Sequence, residues 1–233
     1  MNQKVQEIKT GIKEVDSLFK GLKQNSIIVI GGHTLDDSAF LFNLLADLCV
    51  YKKKCLYCSS NFQKEELVRV LTNIELYQND NYKMTIDGIF KDYVSLKIKS
   101  LTDIFQWNID TFNTDMVELS LMEDKLKELS PDFVLIDTIS ELEVPTCKEY
   151  VSQFIKEMVK KYNTCFFINT FEKENAYKKK QLTISDIEAS ANLIELADDV
   201  IIIDTEEFDA PMNVTSVKRL NRTITIPYKT SII

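Results

Sequence analysis

"SIIVIGGHTLDDSAFLFNLLADL", residues 26–48, decides how the rest of the chain is read. Ser26–Ile30 is an apolar run of strand length, and Gly31-Gly32 interrupts it. The stretch Asp36–Tyr51 then carries Phe40, Leu41, Leu44, Leu45 and Leu48 at helical spacing, so the order is strand, glycine loop, helix. That is the setting of a phosphate-binding loop, whose pattern G-x-x-x-x-G-K-[ST] needs Gly-Lys where this chain has Asp36-Asp37. The context fits and the chemistry does not.

Outward from this stretch the same alternation repeats. "CLYCSS", "PDFVLIDTI" (Pro131–Ile139), "TCFFINT" and "VIIID" (Val200–Asp204) read as strands. "QKEELVRVLTNIELY", the stretch around Met116–Leu129 and "CKEYVSQFIKEMVKKY" read as helices. Strands apolar throughout, separated by amphipathic helices, predict an α/β fold with a mainly parallel sheet covered on both faces. The terminal "NVTSVKRLNRTITIPY" alternates like an edge hairpin. With 5 Gly, 4 Pro and no linker-like segment, one domain over residues 1–233 is expected. Tyr77–Tyr93 reads as a surface insertion and "FEKENAYKKKQLTISD" as a mobile loop. In such a sheet ligands bind at the carboxyl ends of the strands, which gathers Gly31–Ser38, Asn61, Asp137 and Thr170 along one edge.

Composition narrows the function classes. The hydrophobic fraction of 45% and charged fraction of 27% are those of a water-soluble globular protein. No apolar run is long enough to span a bilayer, and "MNQKVQEIKTG" lacks a signal-peptide core, so a cytoplasmic location without membrane contact is expected. A net charge of −8 argues against extensive phosphate neutralisation, so weak or no direct nucleic-acid binding is expected. Cys55 and Cys58 have C-x-x-C spacing, but three residues apart on a strand they face opposite ways and cannot share a metal. His33 is the single histidine, and the five cysteines read as buried thiols.

Taken in order, several stretches resemble the RecA-like ATPase domain of DnaB-type replicative helicases. "TGIKEVDSLFKGL" (Thr10–Leu22) is similar to the family's opening T-G-hydrophobic-x-x-hydrophobic-D segment. "LYCSSNFQKEELVRVL" resembles its strand followed by S-L-E-M, and "FVLIDTISEL" its Walker B strand. "ISDIEASANLIELADDVIIID" resembles S-D-L-R-x-S-G-x-I-x-x-x-A-D through Ser185, Asp186, Ser190, Ala197 and Asp198. The resemblance implies a RecA-like P-loop NTPase fold over nearly the whole chain. The family's separate N-terminal domain, which contacts primase, is expected to be absent, since the core begins within the first ten residues.

At the positions of chemistry the resemblance breaks. Gly31 and Gly32 remain in the loop and Ser38 keeps the magnesium-binding hydroxyl, but Asp36 replaces the second glycine and Asp37 the lysine. A unit charge pair at about 4 Å, with an effective dielectric near 20, is worth about 4 kcal/mol, and here the sign is reversed. Asp36 or Asp37 is expected to cap the helix instead, an anion built in at the phosphate's place; an altered nucleotide mode, or a lysine supplied by a neighbouring subunit, is the alternative. The family's catalytic glutamate falls on Asn61, and its sensor glutamine on Phe171, with Thr170 the nearest polar group. Asp137 keeps the Walker B carboxylate, which in the family orients magnesium; a polar residue ending a buried strand is the plain structural reading. Of the family's K-x-R-N-G, Lys218 and Asn221 remain, while Leu220 and Arg222 replace Arg and Gly; Arg219 or Arg222 could substitute by a register shift. The family's channel-facing R-E-S-G reads "EASA" (Glu188–Ala191), leaving Lys178, Lys179 and Lys180, with Arg219 and Arg222, as candidates for DNA contact.

The expectation is therefore a catalytically degenerate, helicase-like protein, more a pseudo-ATPase than an enzyme. It would act as a partner, scaffold or regulator beside a DnaB-type helicase or another replication protein. No cofactor is expected; ATP and Mg²⁺, held through Ser38 and Asp137, belong to the alternative of an active helicase with rearranged catalytic groups. A third reading is an interaction module unrelated to DNA. Alone, the chain is expected to be a monomer or dimer, with a mixed ring possible beside a true helicase.

Overall fold

The computed structural model describes residues 7–10, 12–19, 22–51, 53–59, 67, 116–137, 148–176, 178–189, 191–205, 211–218, 222–226 and 228. Strand β1 (Glu7–Ile8), helix α1 (Lys13–Phe19) and strand β2 (Leu22–Lys23) come first, β1 pairing antiparallel with β2. The turn into α1 has a specific cause. The Thr10 backbone N–H and hydroxyl both donate to Asp16 Oδ1, at 2.8 and 2.7 Å, which folds the chain back before the helix. Helix α1 then buries Val15, Leu18 and Phe19.

Among the described residues seven strands form the main sheet: β3 (Ile27–Gly31), β4 (Cys55–Ser59), β5 (Phe133–Asp137), β6 (Cys165–Thr170), β7 (Asp199–Asp204), β8 (Met212–Ser216) and β9 (Arg222–Ile226). Their order is β4-β5-β6-β3-β7-β8-β9, parallel from β4 through β7 and antiparallel for the last two. Chemistry follows position. The inner strands β3, β5 and β6 are buried at every residue, whereas β8 alternates and β9 is exposed at Arg222, Thr223 and Thr225. The expected edge hairpin is present.

Among the described residues, helices α2 (Thr34–Val50), α3 (Met116–Leu129), α4 (Lys148–Tyr162) and α5 (Ala191–Leu196) cover the sheet in two layers. On one side Phe40, Leu41, Leu44 and Leu48 of α2 join α1 against Ile28, Ile30, Leu135, Phe167 and Ile201. Phe167 stacks edge-on with Phe19 at 6.0 Å between ring centres, a contact worth about 1 kcal/mol beyond its area. On the other side Met122 of α3, Ile155 of α4 and Leu193 of α5 cover Val29, Val134, Phe166 and Ile202. Cys55 belongs to the first layer and Cys58 to the second, so the C-x-x-C pair is split by the sheet. Among the described residues, no helix is long and apolar enough to cross a membrane.

Two expectations are corrected. Helix α2 begins at Thr34, not Asp36: the Asp37 N–H already bonds the His33 carbonyl, at 3.3 Å. His33 therefore holds the capping position, and Asp37 sits a turn inside the helix. The "FEKENAYKKKQLTISD" segment, expected to be a mobile loop, is tied down instead. Glu172 and Ile187 form an antiparallel bridge, the Lys173 N–H bonds the Asp186 carbonyl at 2.7 Å, and Ala176 and Leu182 are buried. The "QKEELVRVLTNIELY" helix (apart from Leu67), the Tyr77–Tyr93 insertion, Asn61, Arg219, Leu220 and Asn221 lie outside the described residues.

Candidate functional site

Parallel register brings the candidate residues together. Gly31 pairs with Thr170, Ile136 with Ile168, and Ser59 with Asp137, so the strands end side by side under the start of α2. Three links fasten the opposite, amino end of β3 and β7: the Ile27 N–H donates to Asp198 Oδ2 at 2.9 Å, the Asp198 N–H returns to the Ile27 carbonyl at 2.8 Å, and Ser216 donates to Asp199 at 2.6 Å.

At the edge, Asp137 is 3% exposed, and three neutral groups donate to its carboxylate. Tyr57 donates to Oδ2 at 2.8 Å, Asn169 Nδ2 to Oδ1 at 2.8 Å, and the Ser38 hydroxyl to Oδ1 at 3.3 Å. The other end of the Asn169 amide accepts the Thr170 N–H at 3.0 Å. Burial pushes the Asp137 pKa above the usual carboxylate range, against the pull of these three hydrogen bonds. Ser38 and Asp137 are thus neighbours, as expected, and Tyr57 and Asn169, which the sequence reading passes over, belong with them. Asn169 carries a signal: an amide inside an apolar strand has to find partners.

The loop itself is tightly built. A side chain on Gly31 would be driven into Ile187 Cγ2. One on Gly32 would lie 3.1 Å from Ile203 Cβ and 3.2 Å from Asp37 Cβ. Asp37 is fully buried beside that glycine, and its Oδ1 accepts the Ser38 N–H at 2.6 Å. The Asp36 side chain lies outside the described residues. His33 Nδ1 donates to Glu172 Oε2 at 2.5 Å, joining the loop after β3 to the segment that follows β6.

The cationic candidates are placed elsewhere. Lys218 caps α5, donating to the carbonyls of Ile194 and Glu195 at 2.8 Å each and also to that of Ala197. Lys179 pairs with Asp186 at 2.5 Å, while Lys178 and Lys180 are exposed on the same loop. Arg222 is exposed at the start of β9 and reaches the Ser17 carbonyl at 3.5 Å. Phe171 is half-buried, its carbonyl accepting the Glu188 N–H at 2.6 Å, and Thr170 Oγ1 donates to the Glu188 carbonyl at 2.8 Å.

Comparison with known proteins agrees with this architecture. The sequence profile of the family described as "DnaB-like helicase C terminal domain" matches residues 7–227. Among solved structures, one described as an "ATPase Domain" superposes with a TM-score of 0.75 at 13% identity, covering 96% of this chain and 88% of that one. "The Structure Of A DnaB-Like Replicative Helicase And Its Interactions With Primase" gives 0.73 at 14% identity; 96% of this chain is covered, but it spans only 60% of that protein. Curated protein sequences contain no match.

Proposed function

This chain belongs to the family of DnaB-like helicase C-terminal domains, and from that membership we propose that it is a non-hydrolysing RecA-like unit. It serves as a partner, scaffold or regulator in DNA replication or a related DNA transaction. The observation that carries this reading is Asp37, a fully buried carboxylate beside Gly32 where a lysine would meet phosphate. With Asp37 ionised, each negative charge of a triphosphate brought to about 4 Å of it would be opposed by about 4 kcal/mol at an effective dielectric near 20, and a protonated Asp37 would still lack the lysine's attraction. Asp137 adds to the mismatch. Tyr57, Asn169 and Ser38 already take three of the roughly four acceptor sites of its carboxylate, and any of these donors displaced and left buried costs about 1–3 kcal/mol. The residues present do not fit a magnesium–triphosphate, so no hydrolytic step is derived through them.

The partner follows from the family: a DnaB-type helicase or another replication protein, bound through surfaces that need no turnover. Two assays test this. Purified chain with Mg²⁺ and ATP is expected to show no turnover, with or without single-stranded DNA. Immobilised chain is expected to retain a DnaB-type helicase while binding single-stranded DNA weakly and only at low salt. DNA-stimulated turnover abolished by Asp137→Ala would replace this reading with an active helicase.

A further inference from the structure

The segment 171–188 is fastened directly to the loop that would otherwise hold phosphate, and the fastening uses the chain's own side chains. Ile187 packs on Gly31 so closely that any side chain there would displace it. Glu172, at the other side of the same bridge, accepts from His33 at 2.5 Å. Within the segment, Asp186 accepts from Thr183 and from Lys179, and Lys173 donates to the Ser185 carbonyl at 2.6 Å. Contacts therefore link His33, through the bridge and Asp186, to Lys179 in the Lys178–Lys180 run.

We propose that His33–Glu172 and Gly31–Ile187 form a latch that holds the 171–188 arm in one position, so that the arm's basic tip is presented independently of nucleotide. The inference deepens the reading above and rests on it: a ligand-free cradle leaves the arm to be set by the chain's own contacts. The physical argument is one of constraint. Two contacts on opposite sides of one bridge fix both position and orientation, whereas either alone leaves a hinge. The His33–Glu172 contact joins an imidazole to a carboxylate, and a hydrogen bond to a carboxylate is shorter and stronger than one between neutral groups.

Hydrogen exchange of the full chain tests the latch. The Lys173 and Glu188 amides, which bond the Asp186 and Phe171 carbonyls, report on it. His33→Ala and Glu172→Ala are each expected to speed exchange at these two amides about tenfold, as loss of one charge-assisted bond predicts, while β5 and β6 amides stay unchanged. Ile187→Ala is a second route to the same loosening, should either of those variants fold poorly. Exchange at Lys173 and Glu188 unaltered in all three variants would overturn the latch. Addition of Mg²⁺ and ATP separates the two claims. No change in the wild-type arm is expected. Nucleotide protection confined to the Gly31–Ser38 loop would remove the non-binding reading yet leave the latch standing, and nucleotide-dependent exchange in the arm would remove the latch.

Discussion

Asp137 gives up nearly all its water on folding, and Tyr57, Asn169 and Ser38 take water's place. That arrangement makes the residue a structural hub whatever its ancestry. Tyr57→Phe keeps the ring stacked near Phe42, at 5.8 Å between centres, but deletes one of the donors. It should lower stability by about 2 kcal/mol, the cost of losing a hydrogen bond to a charged group, as read from the urea midpoint. An unchanged midpoint would mean that the carboxylate does not depend on this donor. The sign of its titration also follows. A folded-state pKa raised by burial favours the native state at low pH, and this contribution fades as pH rises through the raised value. Asp186 has the opposite sign. Pairing with Lys179, together with hydrogen bonds from Thr183, holds its pKa down at about 2. Its contribution is complete above the ordinary carboxylate pKa, near 3.8, and is lost as pH falls towards 2. Limited proteolysis should find the 171–188 arm increasingly cleavable across that acid window, and Asp186→Asn should be cleavable at neutral pH too.

Elements are legible in the sequence where burial imposes a period, and illegible where partners come from far along the chain. β3, β5 and β6 announce themselves as continuous apolar runs because they are covered on both faces, and β8 by its alternation. The start of α2 reads two residues late because Asp36-Asp37 looks like a cap signal, while the chain bends at His33, whose carbonyl accepts the Asp37 N–H and puts the helix start at Thr34. The bonds of Asn169 to Asp137, 32 positions earlier, and of His33 to Glu172, 139 positions later, depend on sheet order, which local pattern does not specify. Lys218 shows the same limit: as a sequence position it resembles a catalytic cation, and as a structural one it closes the end of α5. Lys218→Met should therefore lower stability by about 1 kcal/mol, since the ammonium offsets the helix dipole at an exposed end. A thermal scan checks this, and a melting temperature equal to the wild type would deny Lys218 that role.

At the scale of the described molecule, the sheet order, the two layers and the family profile all describe a RecA-like fold. Asp37 and the hydrogen-bonded Asp137, Tyr57, Asn169 and Ser38 occupy the edge at which we propose that no magnesium–triphosphate binds. Titrating ATP with Mg²⁺ into the purified, unmodified chain by isothermal calorimetry tests that claim most directly. The account predicts heats of dilution only. A saturable isotherm that vanishes when magnesium is chelated would contradict it.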